Sequence, residues 1–168
     1  MKTARTAARL IAPSLVASVL VLAAVGAQAF QLRGFRGVEW GAEAERLGPD
    51  ATVVSREGEL TCYQRANENL LFGDTELKAV HYCFVNDRLY TVRLEAAVGA
   101  KALAAELERA YGRPDARRGL NATWGRKATD ARAELVSRGE HSQLTLSPNS
   151  SRKTELALRS SAAPTPGF

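Results

Sequence analysis

Apolar positions along this chain change period several times, and each change predicts a different element. From Leu10 to Gly26 they run almost without a break. From Glu59 to Arg65, Leu60 and Cys62 alternate with Thr61 and Tyr63, the period of two of a strand. Leu77 to Val85 and Arg88 to Ala96 are rich in β-branched and aromatic residues, and Asn86-Asp87 between them accepts the positive φ of a tight turn, so a β-hairpin is predicted. Ala100 to Tyr111 switches to helical spacing, with Leu103, Leu107 and Ala110 or Tyr111 on one side and Lys101, Glu106, Glu108 and Arg109 on the wet side. It stops at Gly112 with Pro114 behind it.

Weaker patterns fill the rest. A short helix is predicted over Ala42 to Leu47, closed by Gly48-Pro49, then a short strand over Ala51 to Ser55. Asn67 to Asp74 reads as a loop or short edge element around Leu70-Leu71-Phe72. Further strands are expected at Asn121 to Gly125, Arg132 to Arg138, Ser142 to Ser147 and Lys153 to Arg159. With a two-residue turn, Cys83 would face Tyr90 and His81 would face Val92. Ala79, His81, Cys83, Tyr90, Val92 and Leu94 would then share one face, and Tyr82, Phe84 and Leu89 the other. The fold class is α+β: an antiparallel sheet with one or two helices packed on it. Glu45-Arg46-Leu47-Gly48-Pro49-Asp50-Ala51 echoes Glu108 to Ala116, where a helix again ends on Gly and Pro-Asp-Ala follows. A duplicated αβββ-like unit is one reading of the echo. The other is that helix stops resemble one another because Gly and Pro do the same task in each.

The first apolar run is preceded by Lys2, Arg5 and Arg9 and followed by Ala27-Gln28-Ala29, the order of charge, apolar core and small residues of a secretory signal peptide over residues 1–29. An uncleaved anchor would want about 20 predominantly apolar residues, and Pro13, Ser14 and Ser18 interrupt this run. Export leaves a single α+β domain over residues 30–159 and a disordered tail, with two prolines and little to bury, over residues 160–168. Cleavage removes three of the 23 basic residues and none of the 18 acidic ones, so the formal charge falls from +5 to +2. That small excess argues against nucleic acid as a partner. An Ala- and Arg-rich composition together with the leader points to a bacterial protein, periplasmic or secreted, with no membrane span after cleavage.

Cys62 and Cys83 are the only cysteines, and both fall in predicted strands of the exported part. An even count in an oxidising compartment predicts one disulfide. A metal pair or reactive thiol would want a second ligand pair or Cys-x-x-Cys spacing, and neither accompanies them. Phe35-Arg36-Gly37-Val38-x-Trp40-Gly41, Tyr82-x-Phe84, Arg88-Leu89-Tyr90 and Tyr111-Gly112-x-Pro114 with Trp124 downstream resemble small exported bacterial proteins of unassigned function. The layout also looks somewhat like the beta-lactamase-inhibitor protein fold and the small outer-membrane-assembly lipoproteins, although the cysteine that would carry a lipid is missing. Such a resemblance implies an architecture and does not carry a function.

Chemistry-bearing patterns are sparse. His81 and His141, the only histidines, sit in no recognisable ligand spacing, so no metal and no cofactor is expected. There is no Gly-x-Ser-x-Gly elbow, and Gly34, Gly37 and Gly41 lack the strand-to-helix setting of a phosphate loop. Glu43 with Glu45 and Glu106 with Glu108 stand two apart in predicted helices, so they diverge and are read as solvated, as is the pair Glu57 and Glu59. Arg33, Phe35, Arg36 and Trp40 form the most suggestive group, combining residue types enriched in binding hot spots. They define a candidate binding surface, or else Phe35 and Trp40 fill the core while the arginines stay wet.

No catalytic residue is named by these patterns. They point to a non-catalytic binding or accessory module that engages a protein or envelope component through a sheet face or the segment from Arg33 to Trp40. The alternatives are an enzyme-inhibitor-like protein and a hydrolase whose site assembles only in space. Intact-mass analysis of the exported protein without reductant should show an N-terminus at Phe30 and no free thiol. Two free thiols would remove the bridge, and a retained leader would remove the export reading.

Overall fold

The structure, a computed structural model, describes residues 32–126 and 130–151. The leader, the strand expected at Lys153 to Arg159 and the tail lie outside the described residues. Strands β1 (Gly34–Phe35) and β2 (Val38–Glu39) form a small hairpin, followed by a 3-10 turn at Ala44–Leu47. Then come β3 (Ala51–Glu57), β4 (Leu60–Arg65), β5 (Leu71–Phe72), β6 (Thr75–Val85) and β7 (Arg88–Ala96). Helix α1 (Ala100–Tyr111) leads into β8 (Ala116–Arg118), β9 (Asn121–Trp124), β10 (Ala131–Arg138) and β11 (His141–Pro148). The main sheet is antiparallel, ordered β3-β4-β6-β7-β11-β10-β9-β8, with β5 paired to the start of β6.

Helix α1 has the bounds its spacing predicts, and its N-cap Gly99 offers no side-chain acceptor. Packing therefore holds it, as is usual for a helix this short. Leu103 and Leu107 are fully buried against the sheet, and Trp124 of β9 donates its indole N–H to the Gly112 carbonyl at 2.9 Å, fixing the helix exit. Phe35, Val38 and Leu47 extend the same core over β6 and β7, where Gly41 and Ala42 exchange backbone hydrogen bonds with Leu89. One face of the sheet is thus covered at both ends, by α1 and by the N-terminal hairpin and turn.

The hairpin turn is as predicted: Asn86 and Asp87 take φ of 50° and 59°. Its register is not. Tyr90 is an extra residue, and beyond it Cys83 faces Thr91 and His81 faces Arg93. A bulge of one residue exchanges the faces of everything beyond it. Val92 and Leu94 accordingly join Tyr82, Phe84 and Leu89 in the core, while His81 and Cys83 point the other way. The expected helix at Ala42 to Leu47 shortens to one 3-10 turn, and β3 runs on to Glu57. Cys62 and Cys83 face each other on β4 and β6 with Cα atoms 4.0 Å apart and form the expected disulfide. In the chain-entropy account, closing a loop of about 20 residues contributes on the order of 3 kcal/mol.

Glu106 corrects another expectation. Its side chain is only 10% exposed, ion-paired to Arg109 at 2.8 Å, which also reaches Asp74 at 3.2 Å. The carboxylate lies over Gly73, where a Cβ would come within 2.0 Å of it. Helix α1 is thus docked on the β5–β6 turn by a charge that local spacing assigns to solvent.

Gly34 is fixed by close approach. A Cβ there would fall 2.1 Å from the Val38 carbonyl oxygen and 2.6 Å from the Glu39 Cα, both main-chain atoms that cannot step aside. Gly34→Ala should therefore cost about 1–3 kcal/mol in chemical denaturation, through overpacking of the β1–β2 hairpin. Gly99→Ala, whose methyl meets nothing within 4 Å, should cost under about 1 kcal/mol. Equal costs would show that the hairpin is not held at backbone contact.

Candidate functional site

Among the described residues one face of the sheet carries no helix, and register alone builds that helix-free face. Because Val80, Tyr82, Val92, Leu94, Leu144 and Leu146 are buried in the core, their neighbours in each strand project from the opposite face. His81 stands opposite Arg93, Arg93 opposite Thr145, Thr145 opposite Glu134, Glu134 opposite Thr123 and Thr123 opposite Ala116. This row crosses six strands from β6 to β8, and all but its last member are polar. A second row runs through Ala79, Glu95, Gln143 and Val136. Cys62, Cys83 and Thr91 form a third, and its members are buried.

The charges on this face are partly committed. Arg132 lies 3.5 Å from Glu134 and donates from Nε to the Ser147 hydroxyl at 3.2 Å. His81 Nδ1 lies 3.9 Å from Glu95, and His141 Nδ1 lies 3.5 Å from Lys78 Nζ. Both histidines therefore belong to the helix-free side, each beside a different charged group. Among the described residues, no three His, Cys, Asp or Glu side chains are grouped to hold a metal ion. At the far end, Ala116, Arg118, Thr123, Glu134 and Val136 help line a shallow groove of about 240 Å³. That is below the roughly 300 Å³ at which small-molecule pockets begin.

The four residues singled out near the N-terminus separate by role. Phe35 is buried, its ring centroid 6.1 Å from that of Tyr82. Arg36, held at φ 46° in the β1–β2 turn, pairs with Glu68 at 2.6 Å and donates to the Leu71 carbonyl at 2.5 Å and to that of Asn69. Its guanidinium also stacks 4.9 Å over the Phe35 ring. Trp40 is half-buried and donates its indole N–H to the Leu32 carbonyl at 2.7 Å, and Arg33 is exposed. Phe35 and Arg36 are thus brought together as a clamp on the loop between β4 and β5.

That clamp centres on Glu68, a residue no sequence pattern marks. Its side chain is 4% exposed, and it accepts from Arg36 and from the Tyr82 hydroxyl at 2.8 Å, with Arg65 at 4.0 Å. Arg65 lies 4.8 Å over the Tyr82 ring, and its Nε is buried without a partner. The cluster satisfies a buried carboxylate with two cations and a phenol, which such burial requires. Burial pushes the Tyr82 phenol well above its usual range, and the hydrogen bond and charge of Glu68 add to the rise, while Arg65 and Arg36 oppose it. Burial raises Tyr111 as well.

No protein-family model, curated protein or solved structure matches the chain.

A phenol whose folded-state pKa lies above the unfolded value of 10.0 stabilises fully below that pH and progressively less above it. Tyr82→Phe should lower stability by about 1–2 kcal/mol near neutrality, because Glu68 loses a donor. Above pH 10 the variant should lose stability less steeply than the parent, with Tyr111 supplying the remaining slope. Parallel curves in urea denaturation across that range would exclude Tyr82 as the source.

Proposed function

We propose that the protein is an exported, non-catalytic binding module that engages a protein or envelope component through the helix-free face of its sheet. The observation that carries this is the in-register row of His81, Arg93, Thr145, Glu134 and Thr123. It is a broad polar surface on hydrogen-bonded strands, and the groove at its far end is shallow. A sheet must bury one face to fold, and here α1 and the N-terminal hairpin meet that need on the other side. The segment from Arg33 to Trp40 is the weaker of the two surfaces, since Phe35 and Arg36 are engaged internally. The disulfide fits an exported destination.

A duplicated helix-plus-meander unit accounts for the breadth of that surface. The 3-10 turn and α1 each end on a glycine whose N–H caps a helical carbonyl, Gly48 on Glu45 and Gly112 on Glu108. Pro-Asp then leads each time into a strand beginning on alanine, Ala51 or Ala116. Strands β3, β4, β6 and β7 on one side mirror β8, β9, β10 and β11 on the other, meeting where β7 pairs with β11. Joining two such units edge to edge gives one wide face in place of two narrow ones.

Site-specific photocrosslinking in the native envelope tests this reading. A photoreactive side chain at Thr145 should yield a discrete adduct, and one at Lys101, exposed on α1, should yield none. Adducts from Lys101 alone would move the binding surface to the helix side.

A further inference from the structure

We propose that Arg93 is the recognition point of the helix-free face and takes a carboxylate from an acidic segment of a partner protein. This rests on the reading of that face as the binding surface. Arg93 sits in β7, flanked by β6 and β11, directly opposite His81 on one side and Thr145 on the other. At such positions Cβ atoms are about 4.5–5.5 Å apart, so the guanidinium, the imidazole and the hydroxyl form one cluster of donors. The two carboxylates in these rows are turned elsewhere, Glu95 towards His81 and Glu134 towards Arg132. Arg93 itself, half-buried, has no hydrogen-bond or ion-pair partner among the described residues.

Other arginines set the contrast. Arg36, Arg88, Arg109, Arg117 and Arg132 each pair with a carboxylate. Arginines at an edge or turn without a partner among the described residues, such as the exposed Arg33 and Arg46, keep their water. Arg93 gives up part of its hydration in the middle of a sheet without gaining a counter-charge, which leaves its planar fork free for bidentate recognition of a carboxylate. Lys78, Arg118 and Arg132 on the same face add positive field. A protein fits better than a free anion because the polar row is far longer than a small anion can contact. The row spans six strands, about 24 Å at the usual interstrand spacing, the breadth of a protein contact. Arginine at the centre of such a patch is a common hot spot.

The test is a titration of the disulfide-bonded, isotope-labelled protein, followed by amide chemical shifts. The probes are a short peptide alternating threonine and glutamate, its glutamine counterpart, sodium acetate and inorganic phosphate. The glutamate peptide should shift amides of β6, β7 and β11 around His81, Arg93 and Thr145, and bind at least about tenfold more tightly than the glutamine peptide. Arg93→Gln should erase that preference while its unperturbed spectrum shows an intact fold, and Arg118→Gln should keep most of it. Failure of the glutamate peptide to bind, equal binding of the two peptides, or no effect of Arg93→Gln overturns the proposal. So does phosphate or acetate binding as tightly as the peptide, which would make this a small-anion site. Shifts that stay on this face without acid preference leave the face reading standing and remove only the carboxylate. Shifts confined to α1 or the N-terminal hairpin overturn both.

Discussion

One extra residue, Tyr90, determines which side of the sheet the groups that follow it in β7 share with β6. Without it, Val92 and Leu94 would share a face with His81 and Cys83. With it, they meet Tyr82 and Val80 in the core. The hydrophobic effect enforces this arrangement, since fully burying a valine or leucine side chain is worth about 1.5–3 kcal/mol and the alternative exposes two of them. The same shift turns Thr91 to face Cys83, where its hydroxyl donates to the Leu146 carbonyl at 2.9 Å and so ties β7 to β11. Core, cross-sheet contact and polar face are three results of one local irregularity.

What the sequence made legible follows from how local each signal is. The Asn86-Asp87 turn, the helix from Ala100 to Tyr111 and the strands around Gly139 are specified within a few residues, and the structure places them at or within a residue or two of the expected bounds. The pairing of Cys62 with Cys83 was legible for another reason, because two cysteines allow only one internal bridge. The bulge was not legible, since a bulged strand residue need have no distinctive composition and Tyr90 is as good a strand former as its neighbours. Glu106 and Glu68 were misread or missed because their burial is conferred by segments distant in sequence. Gly73 sits beneath one carboxylate, and Arg36 arrives from 32 residues away at the other. The row on the helix-free face follows at once from the register and is invisible before it.

The N-terminal segment does for one half of the sheet what α1 does for the other. Phe35, Val38 and Leu47 cap the core over β6 and β7, as Leu103 and Leu107 do over β10 and β11. A two-stranded hairpin is marginal by itself, so it must be held from outside. The Arg36 clamp on Glu68 and the loop carbonyls holds it, as do the backbone bonds of Gly41 and Ala42 to Leu89. Aromatic and arginine residues close together in sequence can therefore be a fastening as readily as a binding surface.

Electrostatics divides the two sides of the sheet further. On the core side, carboxylates are buried and so must be matched: Glu68 by Arg36 and Tyr82, Glu106 by Arg109. Removing a partner there leaves an uncompensated buried charge, which costs several kcal/mol, so these groups have little freedom to serve a ligand. On the helix-free side Arg132 is matched by Glu134, and the half-buried Arg93 is left without a partner among the described residues. A fold can place a cation at the centre of a sheet in this way only if the surrounding register keeps its own carboxylates occupied. Glu95 and Glu134, held beside His81 and Arg132, meet that condition.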